Sequence, residues 1–174
     1  MKTLMDLNRR VREWREAFDQ AFAEPPPMPG PAPLDFLGLG LAAQGLSHAV
    51  ALSELASLQP LGALEPYPGG PEALLGLVAL RGAVLPLYDL RALLDLGPSE
   101  RPGWLLLPRA APLALAFERF DGHWRLPRQA CLDAGAAAPH ALCPQLLQHP
   151  GPQGPVQRPL IALQALCARL QAPR

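Results

Sequence analysis

Proline constrains this chain more than any other residue: 23 of the 174 residues are proline, scattered from Pro25 to Pro173. Each one lacks an N–H and fixes φ, so long helices are confined to proline-free windows. What remains for most of the chain is short strands and turns, with two candidate helices. Hydrophobic residues make up 49% and charged residues 17%, enough apolar material for a packed core. The length fits one domain plus an appendage. Fifteen basic and fifteen acidic side chains give a formal charge of +0, so no overall field gathers nucleic acid or anionic lipid. Three cysteines, Cys131, Cys143 and Cys167, follow no secretory signal, and no apolar run approaches the roughly 18 residues of a membrane span. A soluble, cytoplasmic, reduced protein is expected, without membrane insertion.

Residues 1–24 read as one amphipathic helix. Leu4, Leu7, Val11, Trp14, Phe18 and Ala21 alternate at spacings of three and four, an a/d stripe. Thr3 with Asp6 resembles a capping box, and Asp6 with Arg10, Arg12 with Glu16 and Arg15 with Asp19 stand one turn apart. Such a stripe serves either to pack on its own domain or to dock a partner helix. Residues 25–33 carry six prolines and read as a stiff, extended linker.

From residue 34 to 172 the pattern is that of a small β domain, with short apolar runs divided by Gly and Pro. Strands are expected over 35–41 and 46–52, over 74–80 and 83–88, and over 104–107 and 113–117, with weaker ones at 124–126 and 160–163. Arg81-Gly82 supplies a tight turn between the second pair, and Pro86 suggests an edge strand or bulge. Residues 89–96 read as a short helix ending at Gly97-Pro98, and 164–170 as a closing helix. The Ala/Pro/Gln-rich stretch 131–157 carries no clear signal.

Residues 76–91, Gly-Leu-Val-Ala-Leu-Arg-Gly-Ala-Val-Leu-Pro-Leu-Tyr-Asp-Leu-Arg, are the informative segment. Two apolar strands flank a turn that presents Arg81, whose planar fork suits a carboxylate or backbone carbonyls. Asp89 stands where an N-cap would start the short helix. The segment resembles the core of the CheW-like chemotaxis adaptor family, G-x-x-N-L-R-G-x-x-x-P-x-x-D-L-R. Phe36-Leu37-Gly38-Leu39, Leu52-Ser53-Glu54-Leu55, Leu115-Ala116-Phe117-Glu118-Arg119 and Leu160-Ile161-Ala162-Leu163 resemble flanking family segments. Ala79 stands where the family has Asn, Phe117 where it has Asp, and Gln164 where Asp is common. The helix ahead of the domain is similar to adaptors of type IV pilus chemosensory systems.

The resemblance implies a mainly β fold of two small interlocked SH3-like five-stranded barrels, with an N-terminal amphipathic helix and a short C-terminal helix. It implies a non-enzymatic adaptor without cofactor or metal, coupling the tip of a methyl-accepting chemoreceptor to a CheA-type histidine kinase in chemotaxis or twitching motility. Arg81, Leu52 and Glu54 match partner-binding positions. Gly76, Leu80, Gly82, Pro86 and Asp89 form the structural motif, and Leu4, Leu7, Val11, Trp14 and Phe18 are the candidate face of the helix. Two other readings stand beside it. One is an SH3-like interaction module of another complex. The other is a metal site from His140, Cys143 and Cys131, which lacks a second paired ligand motif.

Overall fold

The computed structural model describes residues 10, 14–15, 31–42, 45, 47–80 and 82–172. The chain divides into two compact units, Met1–Ala32 and Pro33–Arg174. In the first, Arg10, Trp14 and Arg15 are helical. Leu4, Leu7, Val11, Phe18, the Thr3/Asp6 cap and Pro25 to Gly30 lie outside the described residues, as does Arg81.

The second unit is mainly β, as the sequence suggested. Its strands are β1 (Leu34–Gly40), β2 (Ser47–Ala51), β3 (Leu55–Pro60), β4 (Leu74–Leu80), β5 (Ala83–Asp89), β6 (Trp104–Pro108), β7 (Ala114–Phe117), β8 (Arg119–Leu126), β9 (Cys131–Asp133), β10 (Gln145–Gly151) and β11 (Gly154–Leu160). They form two sheets, a six-stranded one in the order β8-β1-β2-β11-β10-β9 and a five-stranded one in the order β3-β6-β7-β5-β4. The sixth strand of the first sheet is the three-residue β9. The chain starts in the first sheet, builds the whole second sheet, and returns to finish the first. That path interlocks the two.

Alternation along the strands sorts the apolar side chains into three clusters. Leu37 and Leu39 of β1 point into a shared core with Leu55, Leu106, Leu115 and Phe117 of the second sheet. Phe36 on the opposite face of β1 joins Ala49, Leu147 and Leu160 inside the first sheet. Val78, Leu87, Leu105, Ala114 and Ala116 fill the inside of the second. Helix α1 (Leu90–Leu93) buries Leu90, and α2 (Leu163–Gln171) buries Leu163, Leu166 and Cys167, at i, i+3 and i+4, in the shared core. Phe117, where the family has Asp, is fully buried in that core.

Two expectations need correction. Pro86 is not on an edge strand, because β5 lies between β7 and β4. It faces Leu77, whose N–H and C=O both turn away to Glu65, at 2.8 and 3.2 Å. The β4–β5 ladder therefore asks nothing of the missing Pro86 N–H, and pairing with β7 begins only at Leu87. The last strand is β11, Gly154–Leu160, so Ile161 and Ala162 lead into α2, which begins at Leu163, instead of forming a strand. His48 is buried, at 6% exposure. Residues 131–157, without a clear signal in sequence, hold β9, β10 and the start of β11.

Those last strands explain how prolines can sit inside a ladder. Pro150 and Pro155 face each other in the β10–β11 hairpin. Facing residues in an antiparallel ladder alternate between pairs that exchange hydrogen bonds and pairs that do not, and two prolines fit only the latter. Pro159 falls on the same parity as Pro155, so all three direct their missing N–H outward and leave the hairpin's own bonds intact. No helix among the described residues is long and apolar enough to cross a membrane.

Candidate functional site

Leu52 and Glu54 sit in a single 3-10 turn, Leu52–Glu54, between β2 and β3, at the point where the chain leaves the first sheet for the second. Leu52 is 39% exposed. The Glu54 carboxylate accepts from the Gln164 N–H at 3.3 Å, in the first turn of α2. Ala162, the N-cap of α2, offers no side-chain cap, so a residue 110 positions away satisfies an orphan donor and places a negative charge at the positive end of the helix. The Glu54 carbonyl in turn accepts from the Arg109 N–H at 2.8 Å. Glu54, Arg109, Ala110, Leu163 and Gln164 line a depression of ≈ 250 Å³. Sequence reasoning did not identify Arg109, Leu163 or Gln164, because only the tertiary fold brings segments so far apart to Glu54.

The β4–β5 hairpin lies at the opposite end of the second sheet's strand order. Leu80 pairs with Ala83 across the two-residue turn, and Gly82 has φ +81, a conformation glycine takes without cost. Gly76 has φ +155, and a Cβ there would collide with the Glu65 carbonyl oxygen and meet Leu64 Cδ1 at 2.9 Å. Its bare backbone allows the Leu77–Glu65 bridge that covers part of the β4 edge. Leu80 packs, half-buried, against the inner cluster of the second sheet.

Asp89 closes the motif from inside. It is 1% exposed and caps α1: Oδ1 accepts from Arg91 N–H at 3.0 Å and from Ser99 Oγ at 2.7 Å, while Oδ2 accepts from Ser99 N–H at 2.6 Å. Its own N–H donates to the Ala73 carbonyl at 2.7 Å. Arg91 continues the lattice, with Nε donating to Leu96 O at 3.0 Å and Nη1 3.6 Å from Glu118. One carboxylate thus ties the end of β5, the start of α1 and the following loop together. The buried acid thus anchors the hairpin at the end away from its turn.

The histidines and cysteines are not assembled as ligands. Among the described residues no group of three or more His, Cys, Asp or Glu side chains could hold a metal. His140 Nδ1 accepts from Leu142 N–H at 3.0 Å, so its Nε2 carries the proton shared with Asp95 at 3.1 Å. Cys143 and Cys167 lie in the shared core, and burial pushes the Cys143 thiol up to about 11. Burial, and then the neighbouring His140, lower His48 to about 4.

A polar network on the first sheet has no counterpart among the residues singled out from sequence. Arg158 Nη1 donates to Asp121 Oδ2 at 2.9 Å and to Ser47 Oγ, Ser47 donates to Asp121, and Arg119 Nε donates to Asp121 Oδ1 at 2.7 Å. Burial alone would raise Asp121, but the hydrogen bonds from Ser47, Arg119 and Arg158 and the Arg119 charge hold its carboxyl below the usual range. The available signal was Gly38-x-Gly40 in β1. A Cβ at 38 would strike the Trp124 ring and one at 40 the Arg119 side chain, so both glycines let β8 side chains lie across β1.

A model of the CheW-like domain family matches residues 37–121, from β1 into β8, a span that includes Leu52, Glu54 and the β4–β5 hairpin. No curated protein matches the chain by sequence. Among solved structures, the scaffolding protein TtCheW from Thermoanaerobacter tengcongensis superposes with a TM-score of 0.64 at 14% identity, covering 77% of this chain and 92% of that one. At that identity the likeness concerns the fold. It reaches beyond the matched segment, so the returning strands of the first sheet belong to the same architecture.

Proposed function

Starting from a chain that carries a CheW-like domain, we propose that it works as a non-enzymatic adaptor in the cytoplasm, coupling the tip of a methyl-accepting chemoreceptor to a CheA-type histidine kinase. The match over residues 37–121 carries this reading. The domain, residues 34–172, acts as a rigid scaffold whose two sheets share one core, so displacement at one bound partner is passed on to the other without being absorbed. Leu52 and Glu54, at the crossover between the sheets, are receptor contacts in this reading, and Arg81, by resemblance, is another. Leu52 offers an exposed apolar contact beside a depression rimmed by Glu54 and Arg109, an arrangement suited to an amphipathic helical tip. Residues 1–24 add a further docking surface through Leu4, Leu7, Val11, Trp14 and Phe18, joined by the proline-rich 25–33 segment.

Affinity capture with a receptor tip fragment and with a CheA-type kinase tests the assignment. Leu52→Asp and Arg81→Ala should lose receptor capture while keeping kinase capture. If both variants retained the receptor fragment at wild-type levels, these residues would not be its contacts.

A further inference from the structure

β2 and β11 run parallel, yet they pair only at Ala49 and Leu160, where the Ile161 N–H donates to the Ala49 carbonyl at 2.8 Å. The next rung would require the N–H of residue 159 to donate to the Ser47 carbonyl. Residue 159 is proline, so the ladder stops and the two strands part. The opening measures ≈ 480 Å³ and is lined by Ser47, Arg119, Asp121, Gln157 and Arg158.

Arg158 is held there by contacts from several strands. Its guanidinium lies over the Trp124 ring at 4.9 Å, its Nε donates to His149 Nε2 at 2.9 Å, and its Nη1 serves Asp121 and Ser47. His149 stacks on the same indole at 4.2 Å and engages the Pro150 carbonyl through Nδ1 at 2.9 Å. Nη2 of Arg158, with two N–H groups, has no hydrogen-bond partner among the described residues, and the side chain is 18% exposed. The Arg119 side chain, 43% exposed, stands at the rim, while Asp121 is turned inward at 10%. Arg158 and Arg119 both donate to the Asp121 carboxylate, and Arg119 also reaches the Ala42 carbonyl at 2.7 Å. A fixed, part-buried guanidinium with spare donors selects a carboxylate.

We propose that this opening between β2 and β11 is a recognition site for an acidic side chain presented by an extended segment of a partner polypeptide. Its lining residues stand on strands β2, β8 and β11, which suits an extended chain more than a chain end. The site is distinct from the Leu52/Glu54 surface and does not depend on the adaptor reading.

The test is an NMR titration of the full-length protein with three blocked or free peptides: acetyl-Ala-Glu-Ala-amide, its Gln analogue, and acetyl-Ala-Ala-Ala with a free C-terminus. The Glu peptide should give saturable shifts at the Arg158 Nε–H and the Trp124 indole N–H, weakening with added salt, and the Gln peptide should give none. Arg158→Gln should reduce affinity by about tenfold or more. If that variant does not fold, Arg119→Gln at the rim should still reduce it about threefold. Equal shifts with the Glu and Gln peptides, binding of the free C-terminus alone, or unchanged affinity in folded variants would each overturn the proposal.

Discussion

Replacing Asp89 by alanine removes a helix cap and two further bonds at once. Loss of the cap on Arg91 N–H costs about 1 kcal/mol. The Ser99 N–H and hydroxyl, half-buried, each lose a charged acceptor, at about 1 kcal/mol apiece. The total is about 3 kcal/mol, a large fraction of the roughly 5–15 kcal/mol typical of a folded domain. Asp89→Asn keeps Oδ1 for Arg91 N–H and the Ser99 hydroxyl but sets an amide against the Ser99 N–H, at about 1.5 kcal/mol. Ser99→Ala removes only the hydroxyl, at about 1 kcal/mol. Urea unfolding followed by Trp104 and Trp124 fluorescence should therefore rank the losses Asp89→Ala, then Asp89→Asn, then Ser99→Ala. An Asp89→Ala variant within about 0.5 kcal/mol of wild type, or Ser99→Ala as costly as Asp89→Ala, would refute the view that this carboxylate anchors the motif.

Gly76→Ala should destabilise by about 2 kcal/mol, since it combines a disfavoured φ with a collision against the Glu65 carbonyl, and denaturant midpoints check it. His48 titrates near 4 in the folded state against 6.5 in the unfolded chain; below pH 6.5 the unfolded state binds the extra proton, so stability is complete above 6.5 and falls by up to about 3 kcal/mol as pH drops to 4. His48→Leu should flatten that part of the acid limb relative to wild type in pH-dependent melting. A chain beginning at Pro33 should melt in one cooperative transition close to that of the β domain in the full chain, because among the described residues the three apolar clusters lie within 33–174; calorimetry would expose a collapse.

Local patterns were the readable part of this fold. β1–β2 and β4–β5 are hairpins whose apolar runs and turn residues lie within a few positions of each other, so their strands could be placed within a residue or so. β3 was missed because Leu55–Pro60 lacks β-branched residues. β10 and β11 were illegible for another reason: a proline's fit in a ladder depends on parity, and parity depends on which strand lies alongside. Pro86, Pro150, Pro155 and Pro159 all read as strand breakers, yet each falls where its N–H is not required or where the ladder ends. Leu52 and Glu54 were reached only through family resemblance. The contact of Glu54 with Gln164 leaves no local trace, and the Arg158 network, which joins β2, β8, β10 and β11, leaves only the Gly38-x-Gly40 spacing in β1.

Reconstitution with a receptor cytoplasmic fragment and a CheA-type kinase tests the adaptor assignment most directly. Kinase should sediment with the receptor fragment only when this chain is added, all three should appear in the pellet, and Leu52→Asp should release the kinase and the adaptor together from the receptor. Binding of neither partner by the folded chain would contradict the assignment, as would kinase sedimenting equally well without it.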